Sequence, residues 1–64
     1  MKIRFPDGHE EDIPGGGRRI ELILQDLNLN LLEFLIARGE EIIPEDTIPC
    51  EEDTIHLIRI SHGG

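Results

Sequence analysis

Only one stretch of this chain carries its apolar residues at helical spacing. Ile20, Ile23, Leu24 and Leu27 stand at i, i+3, i+4 and i+7, one face of an α-helix. Glu21, Gln25 and Asp26 fall on the other face, and Asn28 can take the left-handed conformation that ends a helix. The spacing predicts a single amphipathic helix over residues 18–27. A lone helix must bury its stripe against something else, and a 64-residue chain has only short extended segments to offer. A domain of this size buries only about 60% of its unfolded surface. The stripe is therefore read as core and not as a partner groove.

The extended segments are legible from period-two alternation and turn residues. Met1 to Phe5 alternates, with Met1, Ile3 and Phe5 inward. Pro6-Asp7-Gly8 is a turn, and a second strand runs from His9 to Ile13, closing a hairpin. Phe34–Arg38 and Glu41–Ile43 read as strands joined at Gly39-Glu40. Thr54–Ile60 is the last strand, with Ile55 and Leu57 inward. The order β-β-α-β-β-β predicts an α+β domain, one helix packed on a mixed sheet of four to five strands. If the helix is a right-handed crossover, the first and last strands are parallel neighbours. The expected core sets Ile20, Ile23, Leu24 and Leu27 against Ile3, Phe5, Ile55 and Leu57.

Composition narrows the function classes. The net charge is −8, and Lys2 is the single lysine. Nucleic acid as a direct partner is excluded, because neutralising phosphates needs clustered Lys and Arg. Residues 1–32 hold four basic and six acidic groups, and residues 33–64 hold two and eight. This acid has two readings: a basic protein surface as the partner of the second half, or solubility alone. No apolar run approaches a membrane span, and MKIRFPDGHEED lacks the apolar core of a signal peptide. With a lone thiol, the expected compartment is the cytoplasm.

Three other features carry little chemistry. Gly15-Gly16-Gly17 is followed by Arg18-Arg19, not by the Lys-Ser/Thr pair of a phosphate loop, and reads as a flexible strand-to-helix connection. His9, His56, His62 and Cys50 show no metal-ligand spacing, so no metal site is expected. Cys50 sits before Glu51-Glu52-Asp53, surroundings that make a poor nucleophile and a bystander thiol; the competing reading is a mixed disulfide with a sulfurtransferase.

The segment Thr54-Ile55-His56-Leu57-Ile58-Arg59-Ile60-Ser61-His62-Gly63-Gly64 resembles the last strand and tail of ubiquitin-like proteins. Ile42-Ile43-Pro44-Glu45-Asp46 is similar to the I-V-P-E-D run of prokaryotic sulfur carriers and small archaeal modifiers. The resemblance covers roughly residues 18–64. Gly39-Glu40 replaces the usual Asn-Gly turn, and Glu51-Glu52-Asp53 lacks the usual central glycine. The resemblance implies a β-grasp domain over residues 1–60 and a flexible Gly-Gly tail over 61–64. It implies a monomeric carrier that is not itself an enzyme and holds no cofactor of its own. Its partners would be an adenylating enzyme that uses ATP, a sulfurtransferase or sulfur-accepting enzyme, and possible target-protein lysines. The pathways would be tRNA thiolation, molybdopterin synthesis or thiamine synthesis.

The chemistry of such a tail rests on the Gly64 carboxylate. A free carboxylate is a poor electrophile, and adenylation gives it AMP as a leaving group. A sulfur donor then yields a thiocarboxylate, and a lysine amine yields an isopeptide. Gly63 and Gly64 lack a Cβ and can thread a narrow channel, with His62 beside them. Four extended residues reach at most about 14 Å. Leu35, Ala37, His56 and Ile58 are expected to form an exposed docking patch, as the ubiquitin resemblance implies. Lys2 and the Met1 amine are the acceptors available for self-conjugation. The competing class is a β-grasp module that binds a partner and never activates its tail.

Overall fold

Lys2–Arg4 (β1) and Glu10–Asp12 (β2) form the N-terminal hairpin, with Ile3 opposite Glu11. Gly8 closes its turn at φ 95°, where a residue with a Cβ would be strained. The computed structural model describes residues 1–60. After the hairpin come a helix, Ile20–Asp26 (α1), a 3₁₀ turn, Leu31–Glu33, and three strands. The strands are Phe34–Arg38 (β3), Glu41–Ile42 (β4) and Thr54–Arg59 (β5). The sheet order is β2-β1-β5-β3-β4. Only the β1–β5 pair is parallel, with Ile3 beside Ile55, so the sheet is mixed.

The helix is shorter than its apolar spacing predicts at the N-terminal end. Arg19 is extended, and the first helical N–H groups find their acceptors elsewhere in the chain. Ile20 N–H donates to Thr47 O at 2.8 Å, and Glu21 N–H donates to Glu45 O at 3.0 Å. The loop between β4 and β5 therefore caps the helix and fixes where it starts. At the other end Asn28 takes φ 61°. Leu29 N–H donates to Leu24 O and Asn28 N–H to Gln25 O, the paired bonds of a Schellman motif. Asn30 then starts the 3₁₀ turn, its side chain accepting from Leu32 N–H.

One face of the sheet meets the helix. Ile3, Ile20, Leu24 and Ile55 are fully buried, joined by Met1, Ile23, Phe34, Ile36, Ile43 and Leu57. Leu27 is half-buried against them. Phe5, expected inward, is also only half-buried, and its ring stacks on His9 with centroids 4.3 Å apart. No buried side-chain nitrogen or oxygen among the described residues lacks a partner.

Two of the three glycines before the helix hold a carboxylate of the chain itself. Gly15 and Gly16 N–H both donate to Glu51 Oε1 at 3.0 Å. The Met1 ammonium lies 3.4 Å from Glu51 Oε2 and donates to Ile13 O at 2.9 Å. A Cβ on Gly15 would stand 3.2 Å from Glu51 Oε1. This clamp ties the β2–α1 connection and the start of β1 to the turn before β5. The Gly16 N–H, with the Met1 ammonium and Gly15 adding, holds the Glu51 carboxyl below its ordinary value against some desolvation.

Two outcomes are expected. Leu24→Ala should cost about 2–5 kcal/mol, a large part of a stability of about 5–15 kcal/mol. An unchanged thermal midpoint would remove the helix stripe from the core. Because the folded-state pKa of Glu51 is depressed, the clamp stabilises the fold above about pH 4.5 and is lost as pH falls through the depressed value. Glu51→Gln should lower the midpoint at neutral pH and flatten its acid dependence. An acid dependence identical to that of the parent would show that the clamp contributes nothing.

Candidate functional site

Strand alternation sends a second set of side chains to the face away from the helix. Ile3, Ile55, Leu57, Phe34 and Ile36 point to the core. Their neighbours Lys2, Arg4, His56, Ile58, Leu35 and Ala37 take the outer face. Register then lines them up across the strands. Glu10, Arg4, His56, Ala37 and Ile42 form one transverse row over all five strands. Leu35 stands directly opposite Ile58 in the next row.

Leu35 and Ile58 are 44% and 46% exposed, and Ile42 is 52% exposed. His56 is half-buried. Ala37 corrects the expected patch: it is only 5% exposed. It occupies the outer face by alternation, but its methyl lies between His56 and Ile42 in the row, and these larger side chains cover it. Ile42 takes its place as an apolar contact. The signal for Ile42 was its alternation with buried Ile43 just before Pro44.

Charge grades across this face. Arg4 grips Glu10 with two nitrogens, at 2.7 and 2.9 Å, and Lys2 Nζ lies 3.9 Å from the same carboxylate. The Arg4 hydrogen bond holds the Glu10 carboxyl below its ordinary value despite desolvation, and the charges of Arg4, Lys2 and His56 add to this. Sequence reading placed the acid of the second half around Leu35 and Ile58. The fold instead gathers Glu40, Glu41, Glu52 and Asp53 at the end of the sheet where β5 begins. At the other end Arg59 lies over the Phe34 ring, 5.7 Å from its centroid.

Grooves flank that end. One of about 320 Å³ runs along Arg4, His56, Ile58 and Arg59. A second, of about 410 Å³, lies between Phe5, His9, Leu29 and Phe34. Phe5, Pro6 and Arg59 line both. The hairpin turn that builds their rim carries His9, raised by its Asp7 hydrogen bond and by Glu11. Nothing in residue spacing pointed to these grooves, because they arise where β1 ends beside β5.

The remaining sequence-derived residues are scattered. Ile60 N–H donates to Glu33 O at 2.8 Å and continues the β5 pairing to the last described position. His62, Gly63 and Gly64 lie outside the described residues. Lys2 is exposed on the outer face, whereas the Met1 side chain is fully covered and its ammonium is held by Ile13 O, Glu51 and Asp12. Cys50 is exposed, on the turn where its N–H donates to Asp53 Oδ2 at 2.8 Å, away from the apolar patch. Among the described residues, no three His, Cys, Asp or Glu side chains converge as metal ligands. No described helix is long and apolar enough to cross a membrane.

The chain is 31% identical over 62 residues to the sulfur carrier protein TtuB of Thermus thermophilus. That match covers 97% of this chain and 94% of the relative. The chain belongs to the ubiquitin-like sulfur carrier family. No family model matches it. The one-helix, five-strand sheet of this sulfur-carrier family member is a β-grasp fold, with β5 the central strand.

Ile58, on the outer face of this carrier domain, is half-exposed and stands outside the core cluster. Ile58→Asp replaces a half-exposed side chain and should shift stability by less than about 1 kcal/mol. Chemical denaturation would check this. A loss as large as that of Leu24→Ala would show that Ile58 is a core residue.

Proposed function

We propose that this chain is a sulfur carrier whose Gly64 carboxylate is adenylated by a partner enzyme and converted to a thiocarboxylate. The observation that carries this reading is the near-full-length relationship to a protein named as a sulfur carrier. In the activation step a carboxylate oxygen attacks the α-phosphorus of ATP and pyrophosphate leaves. A sulfur nucleophile then attacks the acyl carbon, and AMP leaves. The same acyl adenylate acylates a lysine amine when one is presented, giving an isopeptide. The chain is a co-substrate and carries no catalytic group of its own. ATP is bound by the partner.

In this reading the folded body docks through Leu35, Ile42, His56 and Ile58, and residues 61–64 enter the enzyme. Gly63 and Gly64 pass the constriction, with His62 at its mouth. Apolar side chains that are exposed in a small domain, contiguous across three strands and bounded by Arg4 and Glu10, suit an interface with a dry centre and a polar rim. The acceptor is an enzyme of tRNA thiolation, molybdopterin synthesis or thiamine synthesis. The need for ATP fits a cytoplasmic carrier.

The test uses the adenylating enzyme isolated from source cells by affinity on this chain, with ATP and a sulfur donor. Intact mass should rise by the replacement of one oxygen by sulfur. Deleting Gly64 should abolish the change, and Ile58→Asp should weaken enzyme binding with the fold intact. Sulfur loading that survives loss of Gly64 would refute the mechanism. Tight binding with neither adenylation nor loading would make the chain an interaction module.

A further inference from the structure

The single lysine lies on the same face of the sheet as the proposed docking patch. β1 is exposed at Lys2, buried at Ile3 and exposed at Arg4. Because Ile3 pairs with Ile55 on the core side, Lys2 and Arg4 are held on the outer face beside Thr54 and His56. Glu10 reports the same cluster, since its carboxylate feels the charges of Arg4, Lys2 and His56 together. Lys2 also offers the one exposed amine among the described residues. The Met1 ammonium is committed to Ile13 O, 2.9 Å away, and lies beside Glu51 and Asp12.

Distances along the sheet set the consequence. With strands about 4.8 Å apart and about 3.3 Å per residue, Lys2 lies about 8 Å from His56 and about 14 Å from Ile58. A standard protein interface covers about 800 Å² on each partner, a disc of about 16 Å radius. A partner centred between His56 and Ile58 therefore covers Lys2. A second copy joined to Lys2 through its own last four residues is tethered within about 14 Å, over the same disc.

We propose that a copy carrying a protein-sized acyl group on Lys2 cannot be charged at Gly64. The acylation is balanced by the acyl adenylate of a second copy: the Lys2 amine forms the amide bond, AMP leaves and the amine loses a proton to solvent. A copy acylated at Lys2 is then an end product, and preformed chains are not transferred to a target as a block. This rests on the sulfur-carrier reading above.

The experiment separates the two ideas. All proteins carry Cys50→Ser, and Lys2→Cys or Gln25→Cys supplies a unique thiol for a maleimide-linked polyethylene glycol of protein size. Gln25 is exposed on the helix side. ATP–pyrophosphate exchange is measured with the adenylating enzyme, and thermal midpoints confirm folding. Exchange by the Cys50→Ser parent tests the carrier reading itself. Given that exchange, labelling should take Lys2→Cys from its own unlabelled rate to background, while labelling leaves Gln25→Cys at its unlabelled rate. Full exchange by labelled Lys2→Cys would overturn the proposal. So would an equal fall on labelling Gln25→Cys, because the polymer would then act by its bulk and not by its place on the docking face.

Discussion

Ile3 and Ile55 sit side by side in the parallel ladder between β1 and β5, and both are fully buried. That one contact joins the two ends of the folded chain at the centre of the sheet. It seats the N-terminal hairpin against the last strand and gives the helix a floor. It also fixes every outward side chain. A slip of β1 by one residue against β5 would turn Lys2 and Arg4 into the core and bring Ile3 to the surface. The outer face is thus a by-product of burying the inner one.

Two loops secure that register. The connection between β4 and β5 supplies the carbonyls of Glu45 and Thr47 to the start of the helix, and then Glu51 to the glycines before it. A segment rich in Pro and Glu is therefore as structural as a strand. Its cost is acid concentrated at one end of the sheet, while Arg4 and Arg59 line the grooves at the other end, where the chain runs on to residues 61–64. The molecule separates the part that holds the fold from the part proposed to meet an enzyme.

Much of this was legible in the sequence. The helix stripe, the hairpin around Gly8, the bounds of β3 and the inward Ile55 and Leu57 follow from periodicity and turn residues. The parallel β1–β5 pair was reached only on the condition of a right-handed crossover, because nothing local in either strand names its partner. The helix start was not legible, because it depends on carbonyls about 25 residues downstream in the chain and not on a local cap. Nor was the Glu51 clamp, formed across 36 residues by a residue type that normally signals solvent. Alternation put Ala37 on the correct face but does not measure how far a methyl is overshadowed by His56 and Ile42. The 3₁₀ turn was missed because its signal is a single cap, Asn30. Gly63 and Gly64, expected from the sequence to form the reactive end, lie outside the described residues.

The outer face, and not the helix, is proposed to meet the adenylating enzyme. Methyl cross-saturation from the deuterium-contrasted enzyme to this chain measures it directly, residue by residue. The methyls of Leu35, Ile42 and Ile58 should be attenuated, with Leu22 on the exposed side of the helix unaffected. Attenuation at Leu22 with Leu35, Ile42 and Ile58 untouched would contradict the account.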